Sequence, residues 1–295
     1  YALGMNGPCI TVDVASSSAL AACNSGVRSL QEGECVNACV SGIHIMFDPD
    51  TASLLRNVGL LQAHGRCYTW DHRAKGIVFG EAVVAVTIST KEPKEMQVCA
   101  VTVRQDGRTA VITAPNGRAQ QQMYRDSLQR ANKSVYDLMM CALHGTGTSL
   151  GDPIEAGSLT QGVFSTSNES RMVTGLKANT GHTGAAGGLV ALLLLYYDLS
   201  HCKDHPHAQL RRLNAGVQAA LNGTAPQLPT APTPHKPKPS AVGGVSSFGW
   251  SGTIVHGILH KNHEHPENVS LDHYTFRRRS FAFGPAISSA AQARP

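Results

Sequence analysis

Apolar positions along the chain switch between a spacing of two and a spacing near 3.6, which predicts strands alternating with helices. Residues 10–14 read as a buried strand. Residues 17–31 read as a helix with Leu20, Cys23, Val27 and Leu30 on one face, closed by Gly33. Residues 36–46 are strand-like, and 51–61 form a short helical pattern. The continuous apolar run at 83–89 predicts a fully buried strand, with another at 98–103. Residues 117–131 suit a helix carrying Gln120, Met123, Tyr124 and Leu128. A strand at 138–143 delivers His144 at its end. Asp152-Pro153 introduces a helix over 154–164, with proline at a favourable first-turn position. A short strand at 173–176 leads into a Gly-rich turn holding His182, and then into an apolar helix over 187–199. Proline-rich 222–240 reads as an extended surface segment. Residues 241–247 and 253–260 read as paired strands around a tight turn, and 261–295 as a tail or linker. The alternation predicts an α/β fold with buried sheets.

Composition narrows the classes. Of 295 residues 42% are hydrophobic and 15% charged, an ordinary balance with room for a sizeable core. The net charge of +5 is mild, and no basic stripe carries interleaved aromatics, which argues against nucleic acid and suits an acidic protein partner. Eight scattered cysteines without a Cys-x-x-Cys pair read as a reduced, intracellular protein, cytoplasmic by default. The longest apolar stretch, 184–197, is too short for a membrane span. Two sets could pass for metal ligands. Cys35, Cys39 and His44 are better read as core packing, and His201, His205 and His207 as a polar surface loop, so no metal is assigned.

Ser16 carries the first chemical signal. A β-branched run leads into small residues and then a helical pattern, placing Ser16 at a strand–turn–helix junction where backbone N–H groups and a helix N-terminus face it. Downstream stand His144 in His-Gly-Thr-Gly-Thr, His182 in Lys-Ala-Asn-Thr-Gly-His, and His256, read as structural, in Ser-Gly-Thr-Ile-Val-His.

These motifs, with Gly151-Asp152-Pro153-Ile154-Glu155, Thr113-Ala114-Pro115-Asn116-Gly117 and Ser246-Ser247-Phe248-Gly249, resemble the β-ketoacyl synthase family, especially ketosynthase domains of polyketide and fatty acid synthases. The resemblance runs from about Gly7 to His260. It implies a thiolase-like α-β-α-β-α layered fold with its first half incomplete. Residues 1–90 would be the remainder of the N-terminal half, 91–260 the C-terminal half, and 261–295 a linker. A further segment is expected ahead of Tyr1, whose absence would leave apolar sheet surface uncovered.

The family's chemistry implies roles here. The residue at 16 takes an acyl chain from a carrier thioester, and a malonyl unit loses carbon dioxide to give the attacking carbanion. His144 and His182 would stabilise the enolate, oriented by Lys177. Thr146 and Thr148 would hydrogen-bond the phosphopantetheine arm of acyl carrier protein, with no cofactor bound to the chain itself. Phe248 would act as a gate, and its N–H with that of Ser16 would form an oxyanion hole. A homodimer, or pairing with another ketosynthase, is implied.

This chain departs from the pattern. Ser16 replaces the family's cysteine, Ile254 an asparagine and Gly184 a glutamate. Lys75 and Phe79 replace an acidic and a basic residue. A serine hydroxyl does not ionise near neutrality, so acylation and condensation are expected to be slow. The alternative is a catalytically silent carrier-binding or chain-length-factor-like partner. A serine hydrolase is disfavoured, since the Gly-x-Ser-x-Gly elbow is missing.

Overall fold

The structure is a computed structural model. It describes residues 4–47, 49–57, 59–91, 96–111, 113–164, 170–234 and 240–262. The expected tail therefore lies outside the described residues, apart from Lys261 and Asn262.

The elements follow in chain order. They begin with helix α1 (Ser18–Gln31), strand β1 (Asn37–His44), helix α2 (Pro49–Asn57), β2 (Ala82–Ser89), β3 (Met96–Gln105) and α3 (Gly117–Arg130). Next come β4 (Leu138–Ala142), α4 (Gly151–Leu159) running into a π turn (Thr160–Phe164), and β5 (Met172–Thr174). The one-turn helix α5 (Lys177–Thr180) and a 3₁₀ turn (Gly184–Ala186) precede α6 (Gly187–His201). The chain closes with β6 (Lys203–Asp204), α7 (Ala215–Ala220), β7 (Thr233–Pro234), β8 (Ser240–Phe248) and β9 (Thr253–Asn262).

Five strands form the main sheet in the order β3-β9-β8-β4-β5. β4 runs parallel to β5 and β8, while β9 is antiparallel to β8 and β3. Leu20, Cys23, Leu189, Leu192 and Leu195 of α1 and α6 fill one face of this sheet with Val245 and Val255. The other face is covered by Met123 and Tyr124 of α3, Leu159 of α4 and Val217 of α7. Each fully buried leucine contributes about 1.5–3 kcal/mol to this core. β1 and β2 pair antiparallel as a second, two-stranded sheet beyond α1 and α6. The described order is thus helix, sheet, helix, sheet, which corresponds to four of the five layers of the thiolase-like fold. Helices α1 and α6 cross closely, because a Cβ at Gly188 would stand 2.8 Å from that of Leu20.

Several elements depart from the sequence reading. Residues 10–14 are not a buried strand. Ile10 is 60% exposed, and Val14 makes only an isolated bridge to Ser16, since no described strand offers this segment an edge. Strand β2 is not buried on both faces either. Its residues alternate, with Val83 exposed, because only one face meets α1 and α6. His207 is no surface residue. It is buried, its Nε2 lies 2.9 Å from the Val173 carbonyl oxygen, and burial lowers its pKa to about 4. Cys39 is exposed on β1 rather than packed in the core. Lys261, expected to begin the tail, lies within β9. It is buried, and its ammonium donates to the Ser200 carbonyl.

Candidate active site

Ser16 sits at the elbow between Val14 and α1. Ala15 adopts a left-handed conformation (φ 56°) that costs a non-glycine residue about 1–3 kcal/mol. Neighbouring hydroxyls hold it there. Ser18 Oγ donates to the Ala15 carbonyl and accepts from the Val14 N–H. Ser17 Oγ contacts the carbonyls of Val14 and Thr253, and Ser247 Oγ donates to the Ser16 carbonyl at 2.8 Å. Gly249 crosses so near that a Cβ there would run into the Val14 carbonyl and stand 2.8 Å from Ser17 Oγ.

The histidines converge on this elbow. His144 follows β4 and His182 follows α5, and their rings meet edge to face with centroids 5.8 Å apart. His182 Nε2 lies 2.9 Å from Ser16 Oγ. The Gly184 N–H donates to His182 Nδ1 at 3.1 Å, so the neutral ring carries its proton on Nε2. His144 Nδ1 accepts from the Phe248 N–H at 3.2 Å and stands 3.5 Å from Lys177 Nζ, which fixes the same tautomer. Burial and the Lys177 cation hold both imidazoles well below the usual histidine value, so both are neutral at pH 7. Each therefore offers an Nε2–H donor.

The supports lie beneath. Lys177 Nζ donates to the His144 carbonyl, and burial lowers its pKa to about 8. Glu155 is buried on α4. Its two carboxylate oxygens accept from the N–H groups of His144 (2.7 Å) and Gly145 (2.8 Å). Asp152 does the same for Trp70 (2.7 Å) and Gly147 (3.0 Å), and burial raises its pKa to about 7. This acidic pair belongs to the Gly151-Asp152-Pro153-Ile154-Glu155 motif. Its three-residue spacing on a helix, just after a glycine-rich loop, is the signal that could have found it.

A cavity of about 800 Å³ opens over Ser16, His144 and His182. Thr146 and Thr148 line it with their hydroxyls 3.3 Å apart, and Phe248 lines it with its ring 5.1 Å from that of His144. The Phe248 N–H, assigned by resemblance to an oxyanion hole, is engaged by His144 Nδ1 here. Ile254 is wholly buried in β9, away from the cavity lining. His256 is buried and 2.6 Å from Ser127 Oγ, a structural position.

Family models describe the same chain. The model of the β-ketoacyl synthase N-terminal domain matches residues 1–94, and that of the C-terminal domain matches 96–211. The chain belongs to the β-ketoacyl synthase family. This ketosynthase is 31% identical over 300 residues to a mycocerosic acid synthase-like polyketide synthase of Mycolicibacterium smegmatis, covering 99% of this chain and 14% of that protein. It is 34% identical over 271 residues to an erythronolide synthase of Saccharopolyspora erythraea, covering 88% of this chain and 8% of that one. A ketosynthase from module 6 of the bacillaene synthase of Bacillus subtilis 168 superposes with a TM-score of 0.83 at 26% identity, over 88% of this chain and 48% of that chain. The ketosynthase described here thus spans a small part of the curated relatives and about half of the solved domain. Among the described residues, no helix is long and apolar enough to cross a membrane.

Proposed function

We propose that this ketosynthase acts in polyketide-type chain extension, releasing carbon dioxide from malonyl units carried on the phosphopantetheine of an acyl carrier protein, with acyl transfer slowed by Ser16. The observation that supports it best is the shared tautomer of His144 and His182, which puts an N–H donor on each ring beside the nucleophile. When a malonyl thioester loses carbon dioxide, the electron pair of the broken C–C bond moves into an enolate. Two neutral N–H donors stabilise the oxygen that takes the charge. Thr146 and Thr148 would hold the pantetheine arm, and Phe248 would move aside as the arm enters. The enolate carbon then attacks an acyl group on the residue at 16, whose oxygen leaves and takes up a proton.

The same tautomer works against the first half-reaction. His182 donates to Ser16 and cannot take its proton, and His182 Nδ1 faces a backbone amide where a hydrolase triad would place a carboxylate. This favours a second reading, a partner domain that binds carrier protein, and pairs with an active ketosynthase, without condensing. The working compartment would be intracellular, where carrier thioesters are made.

Incubation of the full chain with malonyl- and acyl-carrier protein tests both. Carbon dioxide release without acylation, followed by acylation once Ser16→Cys is introduced, is the expected result. No release from either form, with carrier binding intact, would replace the first reading with the second.

A further inference from the structure

The imidazole of His44, at the end of β1, lies in the wall of the same cavity. Its ring centroid is 5.3 Å from that of Phe79, and Phe79 is in turn 5.7 Å from His182. The three rings form a continuous tilted stack, with His182 at one end and His44 at the other. Backbone bonds tie the middle of the stack to its end, since the His182 N–H donates to the Val78 carbonyl and the Gly80 N–H to the His182 carbonyl. Among the described residues, His44 Nε2 is buried without a hydrogen-bond partner, so a bond at this nitrogen does not account for the ring's place.

Space does. Gly184 donates its N–H to His182 Nδ1, the bond that sets the tautomer. A Cβ on Gly184 would stand 2.5 Å from both Cγ and Cε1 of His44, closer than real side chains approach. His44 therefore fills the volume that any side chain at 184 would need, and it does so directly beside the amide that orients His182. The departures at Gly184 and Phe79, with His44 between them, are parts of one arrangement.

We propose that His44 is a positioning residue of this site: its ring takes the place of a side chain at 184 and, through Phe79, holds His182 with Nε2 aimed at Ser16. The charged and titratable groups that face it are Glu81 from the β2 side and, across the stack, His182 with its neighbours His144 and Lys177. The role bears on the reaction through the reading of His182 as a donor, but the geometry can be tested without turnover.

The test uses the full chain and two measurements. In thermal melts, Gly184→Ala should lower the midpoint, and adding His44→Ala should restore part of the loss. Equal costs with and without His44 would overturn the shared-volume argument. In nitrogen-15 spectra of labelled histidines, His182 should be neutral with its proton on Nε2. His44→Ala, which lets water reach the stack, should raise the His182 titration by about one pH unit, tenfold in the proton equilibrium. His44→Phe keeps the ring and should leave His182 near its original titration. A His182 signal unmoved by His44→Ala, or moved equally by His44→Phe, would refute the positioning role. If the spectra behave as expected while carbon dioxide release is absent, the positioning stands and the reaction assignment falls.

Discussion

Replacing Glu155 with glutamine tests whether the loop bearing His144 hangs on a buried carboxylate. Both oxygens of Glu155 accept backbone N–H groups, at 2.7 and 2.8 Å, with the side chain out of water. A glutamine offers one oxygen, and its NH₂ must face the second N–H, donor against donor. The loss of a charge-assisted hydrogen bond costs about 1.5–3 kcal/mol, and the stranded N–H adds about 1–3 kcal/mol. Together this is about 2.5–6 kcal/mol, out of a total stability of about 5–15 kcal/mol for a typical domain. The Lys177 cation would suffer as well, since the Glu155 charge opposes the effect of burial on it. Urea titrations of Glu155→Gln beside the parent chain give the difference from the midpoint shift at equal slope. A change below about 1 kcal/mol would refute the reasoning, because the carboxyl could not then be accepting both bonds as an anion.

Three further outcomes follow from the geometry. His182→Ala should reduce carbon dioxide release by about 10²–10⁴-fold and also lower the melting midpoint, since the Gly184 N–H loses its acceptor; a folded variant with an unchanged rate would remove the ring from the reaction. Gly249→Ala should destabilise the chain and loosen the elbow, because the Val14 carbonyl blocks the new methyl group; circular-dichroism melts equal to the parent would contradict this. Acid should weaken the fold through buried neutral histidines. His256 and His207 have folded pKa values depressed to about 3 and about 4, against 6.5 unfolded, so below pH 6.5 the unfolded chain binds the extra protons. Their contribution is full above pH 6.5 and drains away on acidification, to about pH 4 for His207 and about pH 3 for His256. Asp152, raised to about 7, acts in the opposite sense over pH 7 to 4 and blunts the fall. Melting midpoints across this range should drop, and His207→Gln should flatten the curve; a parent midpoint that rises on acidification would show the carboxyl effect in control.

The elements legible in the sequence are those whose burial is one-sided and locally patterned. The face of α1 with Leu20, Cys23, Val27 and Leu30 is buried as its spacing requires, and the β8–β9 hairpin forms around the expected turn. The motif residues Ser16, His144, Lys177 and His182 meet in space. Errors arose where neighbours distant in sequence decide burial. Residues 10–14 have strand-like chemistry but no described strand to pair with, and the apolar run of β2 has a helix layer on one side only. His207 looked like loop polarity because its partner, the Val173 carbonyl, is 34 residues away. His44 reads as core packing rather than as a metal ligand, and nothing in its own segment reveals that Gly184 leaves room for its ring beside the cavity.

If residue 16 is the acyl acceptor proposed above, the elbow separates where that group stands from how reactive it is. Ser17, Ser18, Ser247 and Gly249 grip main-chain atoms on either side of residue 16, and its own side chain takes no part in that grip. The occupant is an interchangeable part in a fixed socket. Serine and cysteine at this position should melt alike while differing widely in chemistry. Under the proposed function, a change at this single codon would retune or silence the reaction with the elbow's main-chain contacts left in place.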